Sequence, residues 1–83
     1  MLKVKVYNLG RNHVEIQTDE GRYLQSYSSI VVFQNNWGDI FLDKKTWCFS
    51  RITVTFRNKF LNMTSKEVNQ KVEMGVFKLI DLN

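Results

Sequence analysis

Ser50-Arg51-Ile52-Thr53-Val54-Thr55-Phe56-Arg57-Asn58-Lys59-Phe60-Leu61-Asn62-Met63 is the stretch on which the fold turns, because it carries two incompatible patterns. Residues 52–56 alternate apolar and polar and are rich in β-branched side chains, which favours a strand. Phe49, Ile52, Phe56 and Phe60 also fall within an arc of roughly 80° at helical spacing, and Ser50 is a good N-cap. A strand leaves residues 57–61 without a pattern, whereas a helix absorbs them. The spacing therefore predicts a helix with Phe49, Ile52, Phe56 and Phe60 as its core stripe. Arg51, Thr55 and Asn58 take the exposed face, with Lys59 beside it.

Downstream, Thr64-Ser65-Lys66-Glu67 has the form of a capping box, with Val68 and Val72 one turn apart and Gly75 as a stop. Residues 76–82 read as a closing strand. Upstream, residues 2–7 alternate with Leu2, Val4 and Val6 on one face, as in a half-buried strand. A turn over residues 8–12 leads to a second strand at 13–18 with Val14 and Ile16 inward. After the turn Asp19-Glu20-Gly21, residues 22–34 read as one long extended stretch. Asn35-Asn36-Trp37-Gly38-Asp39 makes a hairpin loop before Ile40-Phe41-Leu42 returns. The expected fold is α+β: one domain, residues 1–83, with an antiparallel meander of about four N-terminal strands, two short helices and a closing C-terminal strand.

With 43 % hydrophobic and 13 % aromatic residues, the chain has the material for a packed core and is not of disordered composition. Cys48 is the only cysteine, which excludes an internal disulfide and the small secreted, disulfide-stapled class. Residues 2–6 alternate instead of forming the apolar block of a signal peptide, and the Ile30–Phe33 run is too short to span a membrane. A protein of a reducing compartment, without a membrane partner, is expected.

The net charge of +4 is unevenly placed. Residues 1–43 carry four basic and five acidic side chains; residues 44–83 carry eight and three. Such asymmetry marks either a solvated lysine-rich face or a surface for nucleic acid or an acidic protein. Lys44, Lys45, Arg51, Arg57 and Lys59 concentrate it, interleaved with Trp47, Phe49, Phe56 and Phe60, a mixture suited to phosphates and stacked bases. The helical reading sends most of those rings into the core. Tyr23, Tyr27 and Trp37 make a second candidate surface; Trp37, at a loop tip, is either a binding anchor or a lid on the sheet.

Catalytic chemistry is not expected. His13 is the single histidine and sits in a strand without partners. Cys48, between Trp47 and Phe49, reads as a small buried hydrophobe with no base beside it. Asp39 and Asp43 lie ~13 Å apart at strand rise, too far to share a cation. Phosphate-loop, dinucleotide and serine-elbow motifs are absent from the sequence. No cofactor or metal site is expected, and the enzyme class is set aside.

The chain resembles a family of short uncharacterised proteins encoded by phages and prophages of Gram-positive bacteria. The resemblance is carried by Leu24-Gln25-Ser26-Tyr27-Ser28-Ser29-Ile30, Leu42-Asp43, Trp47-Cys48-Phe49-Ser50-Arg51-Ile52-Thr53 and Phe56-Arg57-Asn58-Lys59-Phe60-Leu61. It extends over residues 22–83 and implies the helix at 50–62. Cys48 stands where members usually have an acid, Phe49 and Phe56 where they have tyrosines, and Ile52 where they have threonine. No activity comes with the family. The shared residues either fix the fold, with Gln25, Ser26 and Tyr27 bonded to the corner at Trp47 and Arg51, or form a polar recognition patch.

The resemblance implies a non-enzymatic phage accessory protein in the cytoplasm of a bacterial host. It would bind and modulate a host or phage protein, anti-defence roles such as CRISPR inhibition included. The rival is a small nucleic-acid-binding protein using the basic residues 44–59, and a homodimer pairing strand edges is a third reading. The residues expected at the partner surface are Arg51, Arg57, Asn58, Lys59, Lys44, Lys45, Tyr27 and Trp37.

Overall fold

The computed structural model describes residues 3–83. In the deciding stretch the helix prevails: α1 spans Arg51–Leu61. Ser50 is extended, and its hydroxyl accepts the Thr53 amide at 3.2 Å, satisfying one of the orphan donors of the first turn. At the other end Asn62 turns left-handed (φ 54°) and its N–H returns to the carbonyls of Asn58 and Lys59. Four consecutive β-branched residues, 52–55, each disfavour a helix by a few tenths of a kcal/mol, a penalty that packing overrides. The second helix, α2 (Ser65–Glu73), starts with the full reciprocal box between Thr64 and Glu67. Gly75 follows its cap at φ 73°.

The buried stripe of α1 is rotated from the expected one. Thr53, Arg57 and Phe60 are buried, Ile52 and Phe56 are half-buried, and Phe49 is 77 % exposed. Phe49 precedes the N-cap, so helical periodicity does not govern where its ring points. Asn58 is half-buried instead of exposed.

Among the described residues six strands form one sheet in sequence order: β1 (Lys5–Gly10), β2 (His13–Thr18), β3 (Gly21–Ser26), β4 (Ser29–Asn35), β5 (Ile40–Asp43) and β6 (Lys78–Ile80). The first five make an antiparallel meander, and β6 returns parallel to β5 after the two helices. Five strands thus precede the helices, instead of about four. The extra one arises because residues 22–34 are a hairpin, folded back at Tyr27 (φ 55°) and Ser28. β1 runs on through Gly10, so the first turn is only Arg11–Asn12, both at positive φ as in the primed hairpin turns.

All the helical packing is on one side of the sheet. Leu24, Val31, Val32, Ile40 and Leu42 meet Phe60, Val68 and Phe77 there, with Trp47, Phe56, Leu61, Met63 and Val72 around them. Val31 and Val32 both reach this core because the β3–β4 register slips after Leu24: Leu24 pairs with Val32 and Gln25 with Ile30. Complete burial of such an aliphatic side chain contributes about 1.5–3 kcal/mol. Arg22 clips α1 to the sheet: its guanidinium donates to the Phe60 carbonyl (2.9 Å) and the Gln34 side chain (2.7 Å), and lies 4.1 Å from the Phe60 ring centre.

Three expectations about side-chain direction change. In β2 it is His13 that is fully buried, stacked 4.1 Å from Phe56, while Val14 and Ile16 turn to the side without helices. β1 is exposed along its whole length, with Val6 61 % accessible and Val4, just ahead of the strand, 57 %; Leu2 lies outside the described residues. Cys48 is exposed, in the loop ahead of α1. No helix among the described residues is long and apolar enough to cross a membrane.

Candidate binding cleft

Where the β3–β4 turn approaches the loop between β5 and α1, a cleft of about 210 Å³ opens, lined by Ser26, Tyr27, Ser29, Thr46, Phe49 and Thr53. Its floor is made of hydroxyls already engaged with one another. Ser26 Oγ and Thr53 Oγ1 are 3.1 Å apart and buried, and Ser50 Oγ donates to Thr53 Oγ1 at 3.0 Å. The Thr46 hydroxyl donates to the Ile30 carbonyl and to Asp43. With those groups satisfied, the cleft presents carbon surface to solvent.

Its walls are two rings that a small domain would be expected to hide, Tyr27 (57 % exposed) and Phe49. Tyr27 holds a left-handed backbone, which costs an ordinary L-residue about 1–2 kcal/mol. Three contacts sustain it: its N–H donates to the Asn12 carbonyl (2.7 Å), its carbonyl accepts from Gln25 Nε2 (2.7 Å), and its ring meets His13 edge-on at 5.6 Å. Strained backbone of this kind concentrates where a side chain must be presented for function.

The facing loop is built on Asp43, 1 % exposed at the end of β5. One carboxylate oxygen accepts the Lys45 and Thr46 amides and the Thr46 hydroxyl; the other accepts the Leu82 amide. Burial alone would raise the pKa of this carboxyl. Hydrogen bonds from the Leu82 amide, the Thr46 and Asn83 side chains and the Lys45 amide outweigh it and hold the group below its ordinary value. Both oxygens being occupied, Asp43 is no cation ligand, and Asp39 is at the far end of the strand.

Arg57 completes the loop from beneath. It is 2 % exposed, donates to the Trp47 carbonyl (2.8 Å) and to Asn58 Oδ1 (2.9 Å), and lies 5.5 Å from the Trp47 ring centre. Burial draws its guanidinium below the ordinary value, opposed in part by the nearby Cys48. Arg57 therefore positions Trp47 and leaves the predicted partner surface. Asn58 goes with it, since its amide is divided between Arg57 and Ser65.

Of the remaining predicted contacts, Tyr27 is a wall of the cleft. Lys44, Lys45 and Arg51 are exposed on the loop and helix start that carry Thr46 and Phe49. The first turn of α1 contains no acid, and the one ion pair among the described residues is Arg22–Glu15. These three cations are not neutralised by ion pairs. Lys59 lies about 12 Å further along the helix axis, over the Phe56 ring, beside a different depression shared with Leu9, Glu15 and Arg22. Trp37 is 86 % exposed, not a lid, and occupies the β4–β5 loop at the opposite end of the sheet. Phe49, Ser26 and Thr53 were not among the expected site residues. The signal that could have found Phe49 was its place ahead of the N-cap serine.

No family model, no curated protein and no solved structure matches the chain.

Proposed function

We propose that the protein is a non-enzymatic binding module, of the phage accessory kind, whose cleft takes an apolar side chain from an acidic surface of a host or phage protein and so modulates that protein. The observation that carries this reading is the pair of exposed rings, Tyr27 and Phe49, over a floor of hydroxyls with their hydrogen bonds already made, beside three cations outside any ion pair. The volume falls below the ~300 Å³ at which sites for drug-sized molecules and cofactors begin. It is suited instead to one anchoring side chain, the usual centre of a protein interface, with basic residues at the rim to steer an acidic partner. Of the residues that carry the phage-family resemblance, Ser26, Tyr27, Ser29, Phe49 and Thr53 line this cleft.

Phe49→Ala combined with Arg51→Glu is the appropriate test, since both positions are exposed and neither supports the core. A pull-down from infected host cytosol is expected to lose one specific partner with the double variant while its thermal melt stays within about 0.5 kcal/mol of the parent. Retention of every partner refutes the assignment of this cleft.

Exposure of Phe49 also favours a second reading. It returns to the basic stretch one stacking platform for a nucleobase, with Lys44, Lys45 and Arg51 for phosphates. That reading requires an oligonucleotide affinity falling steeply with salt, and absence of a shift at about 50 mM salt rules it out.

A further inference from the structure

The side of the sheet opposite the helices is unusually apolar. One registered row crosses all six strands, Val6–Ile16–Tyr23–Phe33–Phe41–Lys78, and a second runs Asn8–Val14–Gln25–Ile30. Tyr23, Phe33 and Phe41 stack in sequence, with ring centres 4.5 Å and 6.0 Å apart. None of the side chains in these rows belongs to the core cluster or to the hydrophobics packed around it. Lys78, at the end of its row, is the only charge in either.

We infer that this face is the interface of a two-fold homodimer, in which the sheets of two copies pack face to face. The size of the face is the first argument. Strands ~4.8 Å apart, six or seven residues long in β1–β4 but four in β5 and three in β6, give the whole face roughly 500 Å² per copy. Seven of the ten residues in the two rows are apolar, Asn8, Gln25 and Lys78 being the others, which puts the apolar part of the face within the ~300–600 Å² that is the largest patch a monomer normally exposes. Doubled, the whole face reaches the ~1,000 Å² that a specific interface needs.

Charge is the second argument. Each copy carries +4, with its excess in residues 44–83, and both helices of that segment lie on the other side of the sheet. Stacking through these rows, whose single charge, Lys78, lies at one end, sets the two sheets ~10 Å apart and the helical layers further still, beyond the ~8 Å screening length at physiological salt. Contact through the basic side would face like charge with like. The open face is the surface on which two copies of this chain meet at least electrostatic cost. A two-fold axis through it is self-complementary and closes, so assembly stops at two.

Light scattering coupled to size exclusion tests the inference on the full chain. At about 100 µM the parent is expected at twice 9.9 kDa, moving toward 9.9 kDa as dilution passes a dissociation constant in the micromolar range. Phe33→Glu is expected to give 9.9 kDa at every concentration with an unchanged far-UV spectrum. Val6→Asp, at a position 61 % exposed and therefore not needed for folding, provides the same readout should Phe33→Glu fail to fold. A parent of monomer mass at the highest concentration overturns the proposal, as does a dimer that survives both variants, which would place the contact at a strand edge. Monomer mass together with co-sedimentation on uncharged phosphatidylcholine vesicles overturns it in favour of a lipid surface. The cleft is on the helical side, so these results are independent of partner capture there.

Discussion

Asp43→Asn is expected to lower the unfolding free energy by about 3 kcal/mol, which for a domain of this size moves the melting temperature down by roughly 12–24 °C. The asparagine keeps the shape and one acceptor oxygen but cannot serve donors on both sides. Whichever way the amide lies, its NH₂ confronts either the Leu82 amide or the group formed by the Lys45 and Thr46 amides and the Thr46 hydroxyl. The effect has a defined pH dependence. The folded pKa is depressed, so the charged group's contribution is complete above the unfolded carboxylate value of about 3.9 and is lost as pH falls through the lower folded value. Urea melts of parent and variant should therefore differ by a constant amount from neutrality to about pH 5, and converge below about pH 4. Asp39→Asn, at an exposed loop position, is the control and is expected to change stability by less than about 0.5 kcal/mol. A gap between Asp43→Asn and parent that persists at the lowest pH would show that shape, not charge, is what the site requires.

Gly21→Ala should be nearly as damaging, by a different route. Gly21 sits at φ 146° opposite Asn35, and a Cβ there would overlap the Gln34 carbonyl oxygen and lie 2.8 Å from the Asn35 Cα. Both obstacles are backbone of the neighbouring strand, which cannot swing aside as a side-chain tip can. Relieving the clash means separating the start of β3 from the end of β4, losing ladder bonds worth about 1 kcal/mol each on top of about 1–3 kcal/mol of backbone strain. A loss of about 3 kcal/mol in chemical denaturation is expected, out of the 5–15 kcal/mol typical of a whole domain. Gly38→Ala, with nothing within 4 Å of the added carbon, carries only the cost of its φ of 87° and should lose distinctly less. Equal losses at the two glycines would mean that the close approach of β3 and β4 is not what Gly21 is for.

The class of fold could be read from the sequence because its strongest signals are local. Thr64 with Glu67, Ser50 ahead of a helical run, and Gly75 after one act through bonds within a single turn, and the structure has each of them. The hairpin at Tyr27 was not legible, since a tyrosine at positive φ followed by serine lacks the glycine or asparagine by which such turns are recognised. Alternation in β2 was seen but given the wrong direction: Val14 and Ile16 are the apolar members, yet a polar row of His13, Glu15 and Gln17 faces the helices. That inversion belongs to a sheet apolar on both sides, for which alternation alone cannot say which side the helices will cover. The candidate site was half visible. Tyr27, Lys44, Lys45 and Arg51 could be chosen by type, but an arginine that turns inward to hold the Trp47 carbonyl looks, in sequence, like any other cation.

The order of the strands bears on how the sheet comes together. Every neighbouring pair from β1 to β5 is joined by a short turn, so those four pairings form between residues already close along the chain. The β5–β6 pairing instead joins Asp43 to Ile80 across both helices. Closing a loop more than ten times longer than a hairpin's costs roughly 2 kcal/mol more in chain entropy. Assembly thus has a fast local part and one distant closure, and that closure is where Asp43 receives the Leu82 amide and Asn83 brackets the backbone of Ile30. The loop that carries Phe49 begins at the same aspartate. One wall of the cleft is consequently set only when the last strand arrives, so the cleft takes its shape as the fold is completed.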